Sequence, residues 1–150
     1  MEYRYLFRAK RIDNGEWVQG NLIRSNDAVV GYKAIIIPTN GSNMYTKGGS
    51  RGDLGFENWH KVDKDTICQC TGLKDKNSKL IWENDICDRK EEYPEIVKYN
   101  NGDWTLDYSY SKGKEGEYCY CNLGFYALER KCVEVIGNIF DNPELLEVQE

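Results

Sequence analysis

The sequence predicts an all-β fold. Short runs rich in aromatic and β-branched residues recur along the chain, turn signals divide them, and the first two runs alternate apolar with polar side chains. The sequence holds no βαβ alternation, phosphate-loop motif or internal repeat. Its 150 residues are 40% apolar and 13% aromatic. A chain of this length buries roughly 68–70% of its unfolded surface, so neither a metal nor a disulfide is needed to hold a core.

The first two strands carry the sharpest local expectation. Asn14-Gly15 favours a type I′ turn, pairing Asp13 with Glu16 and Ile12 with Trp17. Ala9 then stands opposite Gly20, and Phe7 opposite Leu22. Tyr5, Phe7, Ala9, Val18, Gly20 and Leu22 share an apolar face; Arg4, Arg8, Lys10, Gln19 and Asn21 share a polar one. Residues 28–37 read as a third strand, stopped by Pro38. The Gly-, Ser- and Asn-rich stretch 39–57 reads as a long flexible loop. A helical turn is expected over 56–61, with Phe56 and Trp59 on one side.

Strands follow at 66–71, 79–82, 85–87, 95–99, 103–110, 118–125 and 133–140, with turns at 74–78 and 100–102. A short helical tail begins at Pro143, with Asn142 placed to cap it. These elements group into two parts. Residues 1–65 form a hairpin or barrel-like β unit containing the 39–57 loop. Residues 66–150 form a second unit on which the first packs, read as a small SH3-like barrel by analogy with the Glu83-Asn84-Asp85-Ile86-Cys87 stretch and the strands after it.

The formal charge of −5 is unevenly spread. Residues 1–75 carry 11 basic and 9 acidic side chains, whereas residues 76–150 carry 9 and 16. A strongly basic nucleic-acid binder is thereby disfavoured for the whole chain, while a local basic face stays open. The N-terminus lacks a signal-peptide apolar stretch, and the longest aliphatic run, Ala34-Ile35-Ile36-Ile37, is too short for a membrane span. Cytoplasmic residence in a bacterial host cell, no membrane association and reduced cysteines are the corresponding expectations.

Three segments carry a family resemblance. They are Phe7-Arg8-Ala9-Lys10-Arg11 with Gly15-Glu16-Trp17-Val18-Gln19-Gly20, the run from Thr71-Gly72-Leu73-Lys74-Asp75 to Trp82-Glu83-Asn84-Asp85-Ile86, and Val135-Ile136-Gly137-Asn138-Ile139-Phe140-Asp141-Asn142-Pro143-Glu144-Leu145-Leu146. In this order the chain resembles the YopX family of bacteriophage and prophage proteins. That resemblance implies a mainly β cytoplasmic protein that self-associates, with no catalytic residues to carry over. Ser78 and Asn84 stand where the family has Gly, so both turns must be built by residues that tolerate left-handed geometry less well.

Four groups of residues invite a chemical reading. Cys68 and Cys70, and Cys119 and Cys121, each place two thiols on one strand face, as a four-sulfur zinc site would need. A single residue between the thiols is too few for the usual zinc turn, so buried small apolar side chains are the favoured reading and no cofactor is expected. His60, the one histidine, has no signalled nucleophile or oxyanion partner. Asp75, Glu83 and Asp85 can converge on a divalent ion as in a nuclease, although turn formation explains them more simply. Arg4, Arg8 and Lys10 with Trp17 form a basic face suited to phosphate or to the acidic half of a second copy. The leading expectation is a non-enzymatic homo-oligomeric interaction module; a nucleic-acid-binding module ranks second.

Overall fold

The computed structural model describes residues 3–25, 33–48, 52–111 and 120–147. The fold is all-β with antiparallel sheets, as the sequence predicts. Contacts divide the chain into two units, Tyr5–Gln69 and Met1–Arg4 with Cys70–Glu150.

In the Tyr5–Gln69 unit, β1 (Phe7–Lys10), β2 (Trp17–Arg24), β3 (Ala34–Pro38) and β6 (His60–Lys61) lie in the order β6-β3-β2-β1. The β1–β2 register is Lys10↔Trp17, Ala9↔Val18, Arg8↔Gln19 and Phe7↔Gly20. It differs from the predicted one by two residues because the turn is longer. Arg11 N donates to Glu16 O at 2.9 Å and Gly15 N to Arg11 O at 3.0 Å, so residues 12–15 make the loop. Only Gly15, at φ 72°, takes the left-handed region there, whereas a type I′ turn needs Asn14 to do so too. A shift of two leaves every side chain on its predicted face.

Ala9, Ala34, Ile36 and Val62 form this unit's buried core, with Val18, Leu22 and Ile67 packed against it. Gly20 is required where β2 meets β3: a Cβ there would lie 2.0 Å from the carbonyl oxygen of Ile37. Beyond β6 the chain returns to β1 through a single bridge, Arg11↔Val62, flanked by bonds from Ile12 N to Lys61 O (3.0 Å) and Asp63 N to Lys10 O (2.8 Å). A 3-10 turn, Lys64–Thr66, then interrupts the pairing, and the Thr66 hydroxyl supplies the acceptor for Lys10 N at 2.8 Å. Pairing resumes with Arg8↔Cys68 and Phe7↔Gln69.

The stretch expected to be a loop contains a hairpin, β4 (Met44–Lys47) with β5 (Asp53–Phe56). Its base is tied by Ser42 Oγ donating to Asn58 O (2.6 Å) and Asn43 Nδ2 to Glu57 Oε2 (3.1 Å). The helical turn expected over 56–61 is absent, since Phe56 ends one strand and His60 starts another.

In the other unit, the end of β7 (Cys68–Lys74) pairs with β8 (Leu80–Trp82). A five-stranded sheet follows in the order β12-β11-β10-β9-β13, built from β9 (Asp85–Asp88), β10 (Glu95–Asn100), β11 (Asp103–Asp107), β12 (Tyr120–Asn122) and β13 (Glu134–Asn138). Its outer strands β12 and β13 do not pair, so the expected small barrel is not closed. Ile81, Cys87, Val97, Leu106, Leu123, Ala127 and Val133 form its buried core. Of the predicted 118–125 strand, 118 and 119 lie outside the described residues; the strand ends at Asn122 and a π-helical turn, Phe125–Glu129, follows shortly after. Pro143–Leu146 is the expected short tail, but Asn142 accepts from Asn138 N (3.2 Å) rather than capping it. Among the described residues no helix is long and apolar enough to cross a membrane.

Candidate functional site

The predicted basic face forms in part. Lys10 stands directly opposite Trp17, with Arg8 one pair further along the same side of the sheet. The Arg8 guanidinium lies 4.7 Å and the Lys10 ammonium 5.5 Å from the centre of the Trp17 ring. Contacts of this kind contribute about 0.5–1 kcal/mol each at exposed sites. They also cover the ring with the chain's own cations. Arg8 stands opposite the fully buried Cys68, and its Nε is buried, so the face closes to solvent on that flank. Arg4 belongs to the other unit, in the 3-10 turn Tyr3–Tyr5.

Among the described residues the cysteines do not assemble into a metal site. Cys68 and Cys70 are fully buried; the Cys68 thiol donates to Thr66 O at 3.3 Å and that of Cys70 to Ile81 O at 4.0 Å. Cys121 lies half-buried on β12, while Cys119 lies outside the described residues. Among the described residues no three His, Cys, Asp or Glu side chains are placed to hold a metal.

The two aspartates are occupied by turns. Asp75 is buried; its Oδ1 accepts from Asn77 N and Lys79 N, each at 2.9 Å, and its Oδ2 from Val135 N at 2.9 Å. One carboxylate thus closes the β7–β8 turn and fastens β13 to it. Asp85 Oδ2 accepts from Trp82 N at 2.8 Å, closing the turn that holds Glu83 and Asn84. Ser78 and Asn84 take φ 64° and 67°, the left-handed geometry expected where the family has Gly.

His60 lines an open cleft of about 470 Å³ with Arg11, Ile12, Asp13, Trp59 and Lys61. Arg11 is held by Asp13 through Nε to Oδ1 at 2.9 Å and Nη2 to Oδ2 at 2.5 Å, and this pairing pushes the Asp13 carboxyl below its ordinary value. Among the described residues no cysteine lines the cleft beside His60.

Sequence reasoning missed two features. The first is a buried ion pair on the five-stranded sheet. Glu95 is 1% exposed on β10, and Arg89 Nε donates to its Oε1 at 2.6 Å. Arg89 also reaches Glu91 Oε1 (3.0 Å) and Cys121 Sγ (3.4 Å), and lies 4.2 Å from the Tyr126 ring centre. Burial raises the Glu95 carboxyl above its ordinary value, with Arg89 opposing that rise. Burial also raises the Cys87 thiol well above its usual value. Tyr110, donating to Pro94 O at 2.5 Å, is pushed up to about 12, first by burial and then by the Glu95 charge. No sequence signal marks the Arg89–Glu95 pair, because a surface-like Arg-Lys-Glu-Glu run surrounds Arg89.

The second missed feature is the β4–β5 hairpin. Met44, Thr46, Leu54 and Phe56 share one of its faces, with Met44 70% and Leu54 62% exposed. Alternation in Met44-Tyr45-Thr46-Lys47 is its only sequence trace, and four residues are too few to stand out.

The family model described as YopX protein matches residues 6–147. The chain belongs to the YopX family. This YopX protein is similar in fold to protein EF1440 from Enterococcus faecalis, whose crystal structure matches at a TM-score of 0.55 and 27% identity over 94% of this chain and 96% of that one. A search of curated proteins returned no match. The three family segments map onto the β1–β2 hairpin, the β7–β9 turns anchored by Asp75 and Asp85, and β13 with its tail.

Proposed function

We propose that this YopX family member is a non-enzymatic module that associates with copies of itself in the cytoplasm of a bacterial host. The observation that carries the reading is the exposure of large apolar side chains on the Tyr5–Gln69 unit. Met44 is 70% exposed, Tyr5 and Leu54 62%, Ile12 54% and Ile23 46%. Single exposed apolar residues are ordinary, but Ile23, Met44 and Leu54 stand on strands, the last two on one face of the β4–β5 hairpin, and such exposure supports a surface that association buries. Sedimentation velocity across the micromolar range tests it. Species heavier than the monomer, growing with concentration, are expected; monomer throughout ends the reading.

A second reading is a nucleic-acid-binding module at Arg8, Lys10 and Trp17. Two cations over one ring support phosphate contact rather than base stacking, since the ring face is already covered. Salt-dependent anisotropy of labelled single-stranded or duplex DNA, lost in Arg8→Glu, is the expected result. Absence of binding at low salt removes this reading.

A further inference from the structure

We infer that the β4–β5 hairpin is the contact through which one copy joins the next, β5 of one copy adding to β4 of another. The inference deepens the self-association reading and rests on it. A two-stranded ladder is marginal unless a third strand or a packed face supports it. All of β4 is exposed, and so are Asp53 and Leu54 of β5.

Among the described residues the register shows which backbone groups are unspent within the hairpin. The pairs are Met44↔Phe56, Tyr45↔Gly55, Thr46↔Leu54 and Lys47↔Asp53. Glu57 N donates to Asn43 O at 3.0 Å, which makes 43/57, 45/55 and 47/53 the hydrogen-bonded pairs by alternation. The amides and carbonyls of Met44 and Thr46 therefore point away from β5, and those of Leu54 and Phe56 away from β4. These outward groups match if β5 takes β4 of the next copy in the same register used within the hairpin. Leu54 then bonds across to Thr46 of the next copy and Phe56 to Met44 of the next copy. The apolar stripe of Met44, Leu54 and Phe56 continues unbroken across both copies.

Charge favours this arrangement over pairing of two β5 edges. In the shared register Asp53 stands opposite Lys47 of the next copy. Pairing β5 with a second β5 about Gly55 opposes Asp53 to Glu57, a like-charge contact, and pairing about Leu54 leaves Asp53 opposite a glycine. A contact between two different edges is head-to-tail, so assemblies larger than a dimer are expected.

The test uses the full chain and two variants, Lys47→Asp and Asp53→Lys, in sedimentation velocity with circular dichroism to check folding. Each variant alone faces like charges across the contact and should associate about tenfold more weakly, an exposed attraction having become a repulsion. An equimolar mixture should regain the wild-type mass. Where unlike variants meet, either the native Asp53 faces the native Lys47, or the introduced lysine faces the introduced aspartate, and both contacts are attractive. Within each hairpin the repulsion persists in the mixture, so recovery reports only contacts between copies. Wild-type oligomers with both variants unchanged overturn this inference alone; failure of the mixture to recover overturns the register. A monomeric wild type overturns the self-association reading beneath it.

Discussion

Replacing Asp75 with alanine removes the acceptor of three backbone amides at once. Asp75 is 6% exposed, and its partners are Asn77 N, Lys79 N and Val135 N, all at 2.9 Å. A hydrogen bond to a charged group contributes roughly 1.5–3 kcal/mol, and an amide left buried without a partner costs about 1–3 kcal/mol. Asn77 and Lys79 are exposed, so water can reach that turn after the substitution, whereas Val135 N lies within the sheet between β9 and the turn. Removing a buried carboxylate also relieves its own desolvation. Together these give an expected loss of about 3–5 kcal/mol, a large share of the roughly 5–15 kcal/mol typical of a folded domain. Asp75→Asn keeps one carbonyl oxygen for the turn but turns an NH₂ toward Val135 N, giving an expected loss of about 1–3 kcal/mol. Urea unfolding followed by tryptophan fluorescence measures both, with the slope checked for constancy. A loss below about 1 kcal/mol for Asp75→Ala at unchanged slope refutes the reasoning.

Four further outcomes follow from the geometry. Arg89→Met strands the Glu95 charge and should cost about 3–5 kcal/mol in urea unfolding, while the Arg89→Met, Glu95→Gln pair should be less destabilised than the single variant. Glu95 has a raised folded value, so the native state binds the proton more tightly and stability falls as pH rises from about 4.5 through that value; Arg89→Met should steepen this fall. Gly20→Ala forces a Cβ toward the Ile37 carbonyl and should lower the thermal midpoint by an amount equivalent to about 1–3 kcal/mol or more. Ser78→Gly relieves a left-handed residue at φ 64° and should raise the midpoint by the equivalent of about 0.5–1 kcal/mol.

Features of the fold governed by side-chain alternation and turn chemistry were legible in the sequence. The faces of β1 and β2 came from period two alone, and survived a register slip of two because that slip preserves parity. The slip itself was not legible: it depends on Gly15 alone, rather than Asn14 and Gly15 together, taking positive φ. Ser78 and Asn84 were readable as left-handed positions from the family pattern. The β4–β5 hairpin was hidden because its strands are short and mostly exposed, so no apolar run announced them. Of the basic face, Arg8, Lys10 and Trp17 share one side of the sheet, which period-two alternation shows even though the predicted pairing set Trp17 opposite Ile12. Arg4 was not placed correctly, since the Tyr3–Tyr5 turn breaks the strand period before it. The Arg89–Glu95 pair depends on how a loop folds back onto β10, which no local spacing encodes.

The bridge between Arg11 and Val62 also bears on the order of folding events. The β1–β2 and β4–β5 hairpins close through short segments and can form on the microsecond scale of isolated hairpins. The bridge joins positions far apart in the chain, so its loop-closure entropy is offset only after β3 and β6 have paired. On this order the bridge is expected to form after the transition state. Substitutions that weaken the bridge should therefore speed unfolding and leave the folding rate nearly untouched, making this one link a determinant of how long the native unit persists.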